Sequence, residues 1–200
     1  MIEKKIPFVG LHAHSVAGSI FDAIGYPDEH MDFCYENGGE ALALTDHGNM
    51  NGFSHQFLHW QKMKEEGKEF KPIFGVEAYF LPSIEEWRDD YERIKEDKKL
   101  AKSLAKQGDP SGATVEDEDA SKKAIKSVIN RRRHLVLLAQ NQTGLNNLFK
   151  LISASYKEEN FYRYPRVDYK MLAEHSEGVI AASACLGGPY AGNYWENREE

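Results

Sequence analysis

Two hundred residues, 41% of them hydrophobic, suffice for one domain with a real core. A net charge of -7 and a pI near 5.7 argue against a module that holds nucleic acid by bulk basicity, and fit one that loads cations into carboxylate and histidine sites. The two cysteines, Cys34 and Cys185, exclude a disulfide framework and point to a reducing compartment.

The opening Met1-Ile2-Glu3-Lys4-Lys5 runs into an apolar stretch without a signal-peptide pattern, and no segment reaches the length of a membrane span. A cytoplasmic protein with no membrane partner is the expectation. The apolar run Pro7-Phe8-Val9-Gly10-Leu11 reads as a first strand, ending in His12-Ala13-His14. Side chains alternate along a strand, so His12 and His14 project the same way and could share a divalent transition metal, most often zinc.

A loop from Ser15 to Tyr26 carries Asp22, and Pro27-Asp28 then opens a helix that ends at Gly38-Gly39. The short apolar strand Ala41-Leu42-Ala43-Leu44 leads into Thr45-Asp46-His47-Gly48. A second helix from Phe53 to Glu66 closes at Gly67, and Pro72 to Phe80 reads as a buried strand containing Glu77. This β-α-β-α-β order predicts a parallel sheet or barrel.

Ile84 to Arg133 breaks that rhythm. Ile84, Trp87, Tyr91 and Ile94 recur at helical spacing in a charged run, Gln107 to Gly112 reads as a turn or a mobile linker, and Glu116 to Asp119 is acidic. We read the region as a charged helical insertion, and Arg131-Arg132-Arg133 at its end as a solvated charge run rather than a nucleic-acid contact. His134 to Ala139 is then a strand, Leu145, Leu148, Phe149 and Ile152 mark a one-faced helix, and Tyr156 to Arg166 is a polar, aromatic loop. Asp168 is placed to cap a short helix, and Gly178 to Cys185 is a fifth strand followed by Gly187-Gly188.

In barrels and open α/β sheets the loops at the carboxyl ends of the strands converge on one mouth. His12, His14 and Asp22 belong to the first such end, Asp46 and His47 to the second, Glu77 to the third and Cys185 to the fifth, so each end delivers imidazole, carboxylate or thiol, all ligand types for divalent metals. His134 stands at the start of its strand, so position alone makes it a strand-entry residue. His55 and His59 share an i, i+4 spacing, but Gln56 follows His55 where an HExxH site needs glutamate, so both are read as a solvent-facing helix edge. His30 and His175 read as surface residues and Cys34 as an apolar, buried thiol.

Five ordered motifs carry a resemblance: Leu11-His12-Ala13-His14-Ser15, Ala43 to Met50, Phe74-Gly75-Val76-Glu77-Ala78-Tyr79, His134 to Ala139, and Ser183 to Gly188. Together they resemble the PHP (polymerase and histidinol phosphatase) domain. Asn141 to Ser155 and Pro165 through Gly178 narrow it to the form found at the N-terminus of bacterial replicative DNA polymerase III alpha subunits. The resemblance implies an α/β fold, a distorted seven-stranded TIM-like barrel with up to three divalent ions at its mouth, zinc foremost, with manganese or magnesium as other fitting ions. Carried over position by position, the ligands are His12, His14, Asp22, His47, Glu77, His134 and Cys185, with Asp46 orienting an imidazole from behind.

Two further ligands of the family pattern fall on a last strand that would come after Glu200, so five of its seven strands and a fragment or split product are expected. The implied activity is metal-dependent phosphoester hydrolysis of the 3′-5′ exonuclease, proofreading type, carried by His12, His14, His47 and Glu77 through bound metals. DNA would be reached through the rest of the polymerase, alongside other replisome subunits. The competing readings are a free-standing small-molecule phosphatase and a non-catalytic docking module of the polymerase.

Overall fold

The computed structural model describes residues 8–106 and 115–196; the Met1–Lys5 run and the Gln107–Gly112 turn lie outside the described residues. The chain order is α1 (Pro27–Glu36), β1 (Ala41–Leu44), α2 (Phe53–Glu65), β2 (Lys71–Phe80), α3 (Ile84–Lys106), α4 (Val115–Asn130), β3 (Arg133–Ala139), α5 (Gln142–Ser155), β4 (Phe161–Tyr162), β5 (Tyr164–Val167), α6 (Tyr169–Glu174), β6 (Val179–Ala182) and α7 (Pro189–Glu196). Among the described residues no helix is long and apolar enough to cross a membrane.

β2 is the spine. Its first half pairs in parallel with β1, from Ala41 opposite Lys71 to Leu44 opposite Phe74. Its second half pairs with β3, antiparallel, from Gly75 opposite Leu138 to Phe80 opposite Arg133. β5 joins β2 in parallel at Tyr79 and Phe80, and β6 pairs antiparallel with β3. The result is a six-stranded mixed sheet, β4-β5-β2-β3-β6 with β1 beside β2.

The expected parallel order therefore fails at β3, and the helical excursion explains why. The chain leaves β2 at Phe80 and re-enters the sheet directly opposite, at Arg133. A single crossover helix would have carried it back to the other end, as parallel pairing requires. Two packed helices, α3 and α4, instead return it to the end it left.

Three further expectations change. Phe8 to Leu11 makes no strand: Gly10 forms one isolated bridge to Leu42, and the carbonyls of Gly10 and Ala13 accept from the N–H groups of Ala43 and Thr45 at 2.7 Å. The segment is extended along β1 but does not build a ladder. The aromatic loop contains the short β4-β5 pair, and α7 follows the double glycine.

Alternation along β2 divides its environment. Val76, Ala78 and Phe80 face out and pack with Leu137, Leu148, Leu151 and Val167 in a core between sheet and α5. Each of these side chains larger than Ala78 contributes about 1.5–3 kcal/mol on burial. Gly75, Glu77 and Tyr79 face the other way. α5 starts where the Asn141 side chain accepts from Gly144 N at 3.0 Å, and a Cβ on Gly144 would stand 1.7 Å from the Gly178 carbonyl oxygen. Only glycine allows that approach, which ties α5 to the entry of β6.

α3 and α4 have a core of their own, Leu81, Ile84, Trp87 and Val128, with Tyr91 and Ile94 against it, as the helical spacing predicted. Arg166, wholly buried on β5, locks the pair to the sheet. It donates to the carbonyls of Tyr162, Tyr164 and Ile129 at 2.8, 3.0 and 2.6 Å, and its guanidinium lies 3.9 Å from the Trp87 ring centroid. Asp168 caps α6 by accepting from Met171 N at 2.9 Å.

Candidate metal centre

Glu77 is a wholly buried carboxylate in the middle of a strand. Its backbone is clamped in place, since Glu77 N donates to the Asp46 carbonyl and its own carbonyl accepts from Gly48 N at 2.8 Å. Gly48 sits at φ 66° in the left-handed region that glycine tolerates, turning the chain immediately after His47.

Four imidazoles converge on this carboxylate. Oε2 lies 3.3 Å from His12 Nε2, 3.3 Å from His14 Nε2 and 2.8 Å from His47 Nδ1, while Oε1 is 3.0 Å from His134 Nδ1. His12 and His14 do project to one point, their ring centroids 4.9 Å apart, although the segment carrying them is not a ladder strand. His14 stacks on His47 at 4.2 Å. Antiparallel pairing settles the odd position of His134: reversing β3 brings its first residues beside the carboxyl end of β2, with His134 opposite Tyr79.

Cys185 and Asp22 stand at the rim. Cys185 Sγ, three residues past the end of β6, is 3.7 Å from Glu77 Oε1 and 3.6 Å from His134 Nδ1, and accepts from Gly187 N at 3.3 Å. The Asp22 carboxylate is largely exposed and reaches His47 Nε2 at 3.2 Å. Asp46 does not touch an imidazole among the described residues. Its buried carboxylate accepts from Ser15 N (2.6 Å), Ser15 Oγ (2.8 Å) and Ser19 Oγ (2.9 Å), and Ser19 Oγ in turn accepts from His47 N. It thereby pins the His12–His14 segment and its loop to the end of β1. Ser15 and Ser19 were not singled out from sequence; their i, i+4 spacing just after the two histidines was the available signal.

Direct contact does not satisfy this cluster. The His47 Nδ1 contact to Glu77 Oε2 is short but off the direction a hydrogen bond requires, and both atoms, with His14 Nδ1, are buried without a hydrogen-bond partner. Buried polar atoms are seldom left so. Two triads of ligand atoms, His12-His14-Glu77 and His47-Glu77-His134, each lie within 4.8 Å and share Glu77. Imidazole nitrogens and a bridging carboxylate are a donor set for divalent transition metals, so the residues fit such ions.

The charges are tuned by the same contacts. Burial alone would raise the Glu77 pKa, but contacts with His134 and His47 outweigh it and hold the carboxyl well below the usual carboxylate range. Contact with Glu77 raises His47 above the ordinary histidine value, whereas burial and the neighbouring His47 lower His14. Burial pushes the Tyr79 phenol up.

The remaining histidines stay apart. His59 is not a free solvent edge: it is half-buried and pairs with Asp32 at 2.9 Å, tying α2 to α1, while His55 is exposed beside Tyr26. Cys34 packs with Met31, Met63 and Phe70, and burial raises its thiol pKa.

With this geometry in hand, comparison with known proteins is decisive: the PHP domain model matches residues 10–198. The chain belongs to the PHP domain family. Over 181 residues it is 35% identical to DNA polymerase III subunit alpha of Aquifex aeolicus, covering 90% of this chain and 12% of that protein. The subunit from Treponema pallidum is 34% identical over 189 residues, 93% of this chain and 12% of that protein. That from Helicobacter pylori (strain 26695) is 37% identical over 153 residues, covering 76% and 9%. This PHP domain thus spans about an eighth of the length of the first relatives it matches. A solved structure from Bifidobacterium adolescentis, provisionally described as a metal-dependent phosphoesterase, covers 88% of this chain and 66% of that one at 16% identity and a TM-score of 0.38, too low to carry an argument.

Proposed function

We propose that this PHP domain serves a DNA polymerase III alpha subunit in DNA replication as a divalent-metal-dependent phosphoesterase of the 3′-5′ exonuclease, proofreading type. The observation that carries this reading is the Glu77 carboxylate, buried among four imidazoles with Oε2 and His47 Nδ1 left without hydrogen-bond partners. His12, His14 and Glu77 would hold one ion and His47, Glu77 and His134 a second, with Asp22 and Cys185 completing the rim and room for up to three ions, zinc foremost.

Divalent cations there supply charge neutralisation for a phosphoryl group and bring the pKa of water towards neutrality. The protein's own residues do the rest. Glu77, kept ionised, turns Oε2 to His12, His14 and His47 and Oε1 to His134. Asp46, through Ser15 and Ser19, holds two of the ligand-bearing segments in register, a supporting role one step removed from the imidazoles. DNA and the other replisome subunits would be met through the rest of a polymerase chain, in the cytoplasm.

The same reading takes the sheet as part of a distorted β/α barrel with the α3–α4 pair as an insertion. Among the described residues β6 pairs only with β3, and its Ile180 is 48% exposed, an edge suited to a further strand. Metal analysis of the purified chain, paired with a primer-end nuclease assay, tests the proposal. We expect bound divalent ions and hydrolysis in the parent chain, and fewer bound ions with no hydrolysis in the His12→Ala/His14→Ala variant; nuclease activity retained in that variant overturns it.

A further inference from the structure

Arg132 belongs to the charge run read from sequence as a solvated face, and its surroundings contradict that reading. The guanidinium lies 3.8 Å from the Tyr164 ring centroid and 5.0 Å from that of Tyr79. The two rings meet edge to face at 5.4 Å. Tyr79 in turn stacks on His47 at 6.0 Å and meets His134 at 5.5 Å. Arg132 lies just before β3, two residues ahead of His134, and the Tyr79 ring beneath it belongs to the strand partner of His134.

Its neighbours in the run are engaged elsewhere: Arg131 pairs with Asp90 at 2.7 Å, and the Arg133 guanidinium lies where only Gly192, lacking a Cβ, leaves room. Arg132 has no carboxylate partner among the described residues. One Nη donates to the Asn130 carbonyl at 3.2 Å, and Nε is buried with no acceptor. A cation held over two tyrosine rings, with donors to spare, offers the planar fork that binds phosphate. It also lines a surface groove of about 610 Å³ with Arg131, Arg133, Asn130, Tyr169 and Asn193.

We propose that Arg132 binds the phosphate next to the one at the metal centre, so that a single nucleotide strand leaves the mouth past this arginine. The inference rests on the phosphoester reading above and names the residue that would tell a polynucleotide, by its second phosphate, from a small phosphate ester. Arg132 is a substrate-positioning residue.

Fluorescence anisotropy of a 5′-labelled single-stranded oligonucleotide, across a salt series and with the chain metal-loaded or chelator-treated, tests it. Arg132→Gln should weaken binding about tenfold and flatten the log-log salt slope by about 0.7, one single-strand phosphate contact. Arg132→Lys keeps the charge, so the slope should stay while affinity falls severalfold with loss of the stacked fork. It also serves as the folded comparison if the glutamine variant melts early. In hydrolysis, Arg132→Gln should raise KM for the oligonucleotide with kcat kept, and leave bis(p-nitrophenyl) phosphate, which has one phosphate, unaffected. Unchanged affinity and slope, equal losses on both substrates, or no binding by the parent chain each overturn the proposal. A parent chain that binds the strand but hydrolyses neither substrate removes the phosphoesterase reading, and the salt slope alone then decides the role of Arg132.

Discussion

Glu77 and Arg166 are both wholly buried charges, and they are held in opposite ways. Around Arg166 the partners are three backbone carbonyls and the Trp87 face, groups that do not titrate and whose positions β4, β5 and α4 fix. Around Glu77 the partners are four imidazoles and a thiol, and two close atoms among them lack hydrogen bonds. One charge has both Nη atoms bonded to scaffold carbonyls and only Nε left without an acceptor; the other is surrounded by groups that can each give an electron pair to a cation. Burial of charge therefore marks a joint in one place and a cluster of donor groups in the other, and the chemistry of the neighbours tells them apart.

The strongest way to break the comparison is at the joint. Arg166→Ala leaves the carbonyls of Ile129, Tyr162 and Tyr164 unpaired and the Trp87 face uncovered, and should cost about 3–4 kcal/mol in urea unfolding. Added metal should not restore that loss, because the joint does not touch the ions. Next, saturating divalent metal at a hundredfold over Kd should stabilise the parent chain by about 2.7 kcal/mol in thermal melts. Glu77→Gln should abolish that gain while folding unaided; equal stabilisation of both proteins would place the metal elsewhere.

Ser15→Ala sharpens the contrast at smaller scale. It removes one of three donors to the buried Asp46 carboxylate, for about 1.5 kcal/mol of stability. Metal affinity should fall with it, since His12 and His14 share that anchored segment. The last contrast is in pH. The depressed Glu77 contributes stability that is present above its unfolded pKa, near 4.3, and is lost as pH falls through the folded value. The raised His47 contributes stability present below about pH 6.5 and lost as pH rises through its folded value, while the lowered His14 acts in the opposite sense. The metal-free chain should thus show a shallow profile around neutrality and an acid limb that Glu77→Gln reduces, measured as urea midpoint against pH. Arg166, which burial pushes down to about 10, stays charged throughout and leaves this profile unchanged.

Much of the architecture was legible in the chain because its signals are local. The Pro27 helix start, the Asp168 cap, the helical spacing from Ile84 to Ile94 and the apolar runs of β1, β2 and β3 each depend on residues a few positions apart. The His-x-His pair, Asp-His and the lone strand glutamate are likewise short patterns, and ordered along the chain they pointed to the PHP family that the comparison then showed.

Direction and partnership were not legible. Nothing in His134 to Ala139 says that β3 runs antiparallel; that follows from two helices returning the chain to the end it left, and it alone moves His134 from strand entry to the mouth. Phe8 to Leu11 has a strand's composition but only one short neighbour, so it forms a single bridge. Asp46 was read as an imidazole's partner because it precedes His47, whereas alternation turns it towards Ser15 and Ser19. Arg132, set among three arginines, acquires its meaning only from Tyr79 and Tyr164, residues separated from it by 53 and 32 positions. Residue identity and short spacing determined which chemistry this protein could carry. Tertiary pairing, set by which ends of distant strands meet, decided which of those groups stand within reach of one buried carboxylate.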